Sequence, residues 1–155
     1  MTKLLFIVAL GLGAPACISR ADRAENFMVS MRGYNDGIRW QRFANAASAV
    51  PAAERDAFLD ERADLEKELR IDDWELLRVS YQGDHMQRAE VRVRYTWHLD
   101  RVGVVNETTT VQSWERRGKH WVIAEEVRAV GPEMPGVEEP PPQAADARGS
   151  VPRDR

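Results

Sequence analysis

Three histidines, one cysteine and a run of aromatic residues are the side chains with most chemistry to offer in this 155-residue chain. His85, His98 and His120 read as belonging to a turn, a strand end and a strand start. No two stand at i,i+2 or i,i+4, so they lack the spacing by which one strand or helix face presents two imidazoles to a metal. The chain contains no G-x-S-x-G, no phosphate-cradling Walker loop and no G-x-G-x-x-G. No cofactor is implied. The single cysteine, Cys17, cannot form an intramolecular disulfide and falls where an export signal would end. Trp40, Trp74, Trp97, Trp114 and Trp121, with Tyr81 and Tyr95, could line an apolar pocket. Trp40, Tyr95, Trp97 and Trp114 are its candidate residues. The favoured alternative is that these rings fill the core or a dimer face.

Such residues need a scaffold, and the length suits one domain of modest size. Hydrophobic residues make up 43% of the chain and charged residues 30%, a composition that suits a globular core with a solvated surface. The net charge of -3 comes from 22 basic and 25 acidic residues that are well mixed. No basic stripe stands out, so nucleic acid is not an expected partner.

Residues 1–17 read as an address. A positive start at Lys3 leads into the apolar run Leu4–Leu12, too short for a comfortable membrane span, and then into Gly-Ala-Pro-Ala before Cys17. Ala14-Pro15-Ala16-Cys17 resembles a lipobox, with Ala14 standing where Leu is usual. Lipidation at Cys17 is the leading expectation, giving a periplasmic or outer-membrane lipoprotein. Soluble secretion and an uncleaved anchor are the alternatives.

The strongest structural signal is Ala89–Leu99. Val91, Val93, Tyr95, Trp97 and Leu99 share one parity, and Glu90, Arg92, Arg94, Thr96 and His98 the other, which predicts a half-buried strand. Further strands are predicted over 74–81, with Leu77, Val79 and Tyr81 inward, over 104–116, and from 120 to 124, extending as far as 127 or 130. Upstream, Phe27, Met31 and Tyr34 repeat at helical spacing until Asn35-Asp36-Gly37, a turn signal expected to end the helix. A short second helix would carry Ile38, Trp40, Phe43, Ala44 and Ala47. A third would run from Pro51, suited to a first helical turn, to Arg70, with Phe58, Leu65 and Leu69 as its stripe and Glu66–Arg70 as an i,i+4 pair. Helices followed by an antiparallel meander imply an α+β domain over residues 18–130. From Gly131 the chain holds six of the eight prolines and almost no large apolar residue, so 131–155 is predicted to be a disordered Pro-rich tail.

The motif F-M-x-x-M-x-x-Y-N-D-G, the helices after it and the hairpin Q-S-W-E-R-R-G-K-H-W-V-I together resemble the nuclear transport factor two superfamily, also called SnoaL-like or cystatin-like. The resemblance covers about residues 20 to 130. It implies helices inside the curve of a strongly bent antiparallel sheet, a cone. An enzyme of that kind would need an Asp or His near a Tyr inside the cone, and the candidates are Tyr34, Asp36, Tyr95 and His98. Asp36 in a turn and His98 on the polar parity of its strand both have ordinary structural roles.

The leading functional expectation is non-enzymatic: an exported, lipid-anchored binding or protein-interaction module of the cell envelope. Its partners would be a small apolar ligand or an envelope protein, the membrane through the anchor, and a second copy through the sheet. A small SnoaL-type dehydratase or isomerase acting on an apolar substrate in the cone is the alternative. A purely structural accessory is a third class.

Overall fold

A computed structural model describes residues 20–141. Residues 1–19, which include the run predicted as an export signal and Cys17, and residues 142–155 lie outside the described residues. The order is α1 (Arg20–Arg39), α2 (Phe43–Ala47), a 3-10 turn (Ala52–Glu54), α3 (Arg55–Leu65), then β1 (Leu69–Gln82), β2 (Arg88–Leu99), β3 (Asn106–Arg117) and β4 (His120–Val130). The strands form one antiparallel sheet in the order β1-β2-β3-β4. This is the α+β arrangement expected from segregated helices and strands.

The alternation in β2 works as its sequence dictates. Val91, Val93, Tyr95 and Trp97 are buried, while Arg92 is exposed and Arg94, Thr96 and His98 are half-buried on the other face. α1 covers the apolar face with Phe27, Met31, Tyr34 and Ile38, a stripe at helical spacing. Phe27 sits edge-on to Tyr81, Trp114 and Trp121, with ring centroids 5.4, 5.7 and 4.9 Å away. Edge-to-face contacts at such distances add to the burial of the rings.

Several boundaries differ from expectation. Asn35-Asp36-Gly37 does not end α1. Asn35 is fully buried and its Nδ2 donates to the Met31 carbonyl one turn back at 2.8 Å, so its polar group is satisfied within the helix. Gly37 answers to packing, because a Cβ there would lie 2.9 Å from the Cβ of Ala46 in α2. The helix stops at Arg39, and Gln41 takes a positive φ of 54°. Ile38 therefore belongs to α1, and Trp40 falls in the turn, 57% exposed. Its role as a pocket residue is corrected: one face lies 4.7 Å from the Arg39 guanidinium and much of the ring meets solvent.

α3 ends at Leu65, short of Arg70, because Leu69 to Ile71 already pair with Leu99 to Trp97 as sheet. Arg70 bonds the Glu66 carbonyl at 2.6 Å and pairs with Asp100 at 2.8 Å, so the Glu66–Arg70 side-chain pair does not form. β1 carries a register shift between Leu76 and Arg78, which turns Leu77 outward and Leu76 toward the core, reversing the expected parity there.

Disorder from Gly131 is corrected for residues 131–141. Met134 is 1% exposed, and Thr108 Oγ1 donates to the Pro132 carbonyl at 2.8 Å. Glu138 forms a parallel bridge with Val127, its amide donating to the Glu126 carbonyl and its carbonyl accepting from the Arg128 amide. Arg128 adds a forked ion pair with Glu139. One apolar anchor, one backbone bridge and one ion pair fix this strap across the β4 edge despite its proline content.

Candidate functional site

The row of inward residues on β3 is polar where a core is normally apolar. Thr108, Thr110 and Gln112 are all 0% exposed and share parity with Trp114. Buried polar groups of this kind must find partners inside the protein. Trp97 Nε1 donates to Thr108 Oγ1 at 3.0 Å. Trp114 Nε1 donates to Gln112 Oε1 at 3.1 Å, which turns the Gln112 amide nitrogen toward Asn35 Oδ1 and Glu126 Oε1, each 2.9 Å away.

Glu126 is the point on which these groups converge. Its Oε1 also accepts from Thr110 Oγ1 at 2.8 Å and lies 3.1 Å from the Tyr95 hydroxyl, whose proton is shared with Asn35 Oδ1. Its Oε2 accepts from the Tyr34 hydroxyl at 3.0 Å. Glu126 points inward because of a local irregularity in β4. Ser113 pairs with Glu125 but Trp114 pairs with Ile123, so Ala124 is an extra residue that shifts the parity of the residues after it as far as Arg128.

Burial, and secondly the negative charge of Glu126, push both Tyr34 and Tyr95 well above the ordinary tyrosine range. Both hydroxyls therefore hold their protons and act as donors. A carboxylate has about four lone-pair directions. Those of Oε1 are occupied, and the capacity left is on Oε2. Among the described residues Glu126 makes no ion pair, so its supporting partners are neutral.

A cavity of about 360 Å³ opens beside the Tyr34–Glu126 pair. Tyr34 and Glu126 form part of its lining, with Val50, Phe58, Ile123 and Val137 as apolar walls and Glu54, Glu61, Glu125 and Glu138 on exposed parts of the rim. Arg62 of α3, 5% exposed, is also in the wall. Its Nη2 donates to the Gly136 carbonyl at 2.6 Å, and its guanidinium lies 5.1 Å from the Phe58 ring centroid. Arg62 Nε has no partner among the described residues. Gly136 has φ +79°, and a Cβ there would come within 2.0 Å of Arg62 Nη1, so the strap closes on the guanidinium only with glycine at this position.

Tyr34 and Tyr95 are thus brought together, onto Glu126. Asp36 and His98 are not with them. Asp36 is exposed and accepts from Trp74 Nε1 at 2.9 Å, whereas His98 lies on the outer face against Asp72 at 3.0 Å and Asp100 at 3.5 Å. Trp97 and Trp114 fill the core and do not line the cavity, so their pocket role is corrected, and the aromatic lining is Tyr34 and Phe58 instead. Sequence reasoning missed Asn35, Arg62, Thr110, Gln112 and Glu126. The parity of Trp114 could have revealed Thr110 and Gln112, but no local signal marks Glu126.

No protein-family model matches the chain. No curated protein matches it either. Among solved structures it is similar to the solution structure of a SEC-C motif containing protein from Rhodopseudomonas palustris. The TM-score is 0.53 and the identity 16%, over 63% of this chain and 73% of that one. At that identity the likeness concerns the fold alone, an α+β arrangement with an antiparallel sheet. It overturns the resemblance to the nuclear transport factor two superfamily: the structural neighbour is a SEC-C motif protein, and the kinship and cone inferred from the helix motif and the tryptophan hairpin are withdrawn with it.

Proposed function

We propose that this chain is a non-catalytic module that holds a small molecule in the cavity over Glu126. The observation that carries the proposal is a carboxylate in a cavity wall, fixed by four internal donors, three on Oε1 and one on Oε2. Binding sites of this size combine apolar walls with a few polar groups held in place beforehand. Proton-transfer chemistry fits less well. General acid–base work needs a group that gives up or takes a proton near the working pH. The two titratable groups that bond Glu126 are tyrosines that burial holds in the protonated form.

The N-terminal segment supports an envelope location, with Cys17 as the lipidated residue. The outer sheet face gives a homodimer less support, because it presents Glu75, Arg78, Arg92 and Arg94, with Glu75 and Arg94 already paired.

The test is a nuclear magnetic resonance titration of isotope-labelled protein with a panel of small organic molecules spanning positive, neutral and negative charge. Shifts should concentrate at Tyr34, Phe58, Ile123 and Glu126, and Ala57→Phe, which fills the cavity, should remove them. Shifts confined to other surfaces, or unaffected by Ala57→Phe, would refute the binding role.

A further inference from the structure

We propose that the outer face of α1 is the contact surface between two copies of this chain, packed antiparallel about a two-fold axis at the level of Tyr34 and Asn35. The inference goes beyond the binding role proposed above and does not depend on it.

α1 buries one face against the sheet and leaves the opposite face uncovered. On that outer face Val29, Gly33, Asp36 and Trp40 follow at spacings of four, three and four residues, so they form one line along the helix and its end. Val29, 67% exposed, is the most exposed large apolar side chain among the described residues, and Trp40 is 57% exposed. Scattered exposed apolar residues are ordinary in a folded protein. Two on one line, on either side of a helical glycine, make a strip that a second helix can cover.

Gly33 is a separate observation. A glycine in a helix interior is destabilising relative to alanine. Neither usual reason for it applies here: its φ is not positive, and a Cβ would meet nothing within 4 Å. Gly37, one turn on, is accounted for by Ala46 packed against it, whereas nothing in the same chain accounts for Gly33. Bare backbone in the middle of an exposed strip lets another helix approach closely, since the distance between helix axes is set by the side chains at the contact. On one flank the surface falls into a groove of about 520 Å³ that Gly33 shares with Val29, Ser30, Ala44 and Ser48, which leaves the approach open.

Register identifies the occupant as a second copy. In a two-fold contact residue i meets j and j meets i. Turning α1 end for end about the Tyr34–Asn35 level sets Val29 of each copy against Trp40 of the other, and Gly33 against Asp36. The same register brings Arg32 of each copy within one residue of Asp36 of the other, on one flank of the strip. Arg32 is exposed with no partner among the described residues. Asp36 is exposed and uses Oδ1 on Trp74 Nε1, leaving Oδ2 without a partner among the described residues. Arg39, already paired with Asp73, keeps its place over the Trp40 ring. One register therefore covers both apolar side chains and gives each unmet charge an opposite one, and symmetry does so twice.

Sedimentation equilibrium of the full chain in a density-matched mild detergent should show a reversible monomer–dimer equilibrium. Gly33→Ala and Gly33→Leu test the close approach. Both add atoms to open space in the single chain, so both should fold, and Gly33→Ala should raise the melting temperature of dilute monomer. Gly33→Leu should weaken dimerisation roughly tenfold or more by holding the helices apart. Arg32→Asp places like charge beside Asp36 and should weaken it roughly fivefold, as should Asp36→Arg. The two exchanges together should recover most of the parent affinity, a recovery that a merely structural role for either residue would not produce. A parent chain that stays monomeric at every concentration, a dimer indifferent to Gly33→Leu, or a double exchange that recovers nothing would each overturn the proposal. None of these outcomes touches the cavity over Glu126, so the binding role stands or falls on its own titration.

Discussion

Replacing Glu126 by leucine tests whether the carboxylate organises the buried polar row or merely sits beside it. The change removes the acceptor shared by Tyr34, Tyr95, Thr110 and Gln112. Tyr95 and Gln112 retain Asn35 Oδ1 as a partner. Thr110, fully buried, loses the acceptor of its hydroxyl, and Tyr34 loses its bond but faces a cavity that water can enter. An orphaned buried donor costs about 1–3 kcal/mol, so about 2 for Thr110 and about 1 for Tyr34 give a destabilisation of about 3 kcal/mol. At about 4 °C per kcal/mol for a domain of this size, Tm should fall by about 12 °C. Opposing this, removal of a half-buried charge relieves desolvation, which can make an apolar replacement neutral or even stabilising. Glu126→Gln separates the two effects. It also removes the charge but keeps an acceptor, and it should cost about 1 kcal/mol, one ordinary hydrogen bond. Urea and thermal denaturation of the two variants and the parent would decide the matter. A leucine variant as stable as the glutamine variant would show that the donors do not depend on the carboxylate, and the account of the site would fail.

Other outcomes follow from the same geometry. The pKa values of Tyr34 and Tyr95 are raised in the folded state above the unfolded value near 10.0, so their contribution to stability is complete below that pH and declines above it, until pH passes the folded values. Tyrosinate absorbance should therefore rise in step with alkaline unfolding for these two residues, and a gradual rise in folded protein that vanishes in Tyr34→Phe and Tyr95→Phe would contradict their assignment as protonated donors. Trp97→Ala should destabilise the fold by about 3–5 kcal/mol, since the ring is 4% exposed and bonded to Thr108; an unchanged melting curve would contradict its core placement. Cys17→Ser should release the protein into the soluble fraction on membrane fractionation, and continued membrane attachment would remove the lipid-anchor reading.

The fold was legible where one period governed a whole element. In β2 every second residue is apolar, and no irregularity interrupts its pairing with β3, so parity alone identifies the buried face. It failed where a single residue shifts the phase. The irregularity near Leu77 reverses part of β1, and the extra Ala124 carries Glu126 to the inner face, and neither has a distinctive sequence signature. Asn-Asp-Gly normally reads as a turn, yet Asn35 satisfies itself along the helix and then joins the network as an acceptor. In β3 the polar Thr110 and Gln112 face inward while the apolar Val111 between them takes the other face, the reverse of what hydrophobicity alone would suggest. Tyr34 and Tyr95 both bond Glu126, an acid on a strand that sequence proximity connects to neither, while Asp36 and His98, the groups named beside them, lie elsewhere.

The wall completed by Gly136, Val137 and Glu138 comes from chain synthesised after all four strands. A protein ending at Val130 would lose the buried Met134 side chain and the acceptor of Thr108, and would have an open trough where the full chain has a bounded chamber, with the Arg62 side chain facing water on the side where it now meets a carbonyl. Expression boundaries drawn from the regular elements alone would thus yield a fragment stripped of its receptacle, and a negative binding result from it would report on the truncation and not on the protein.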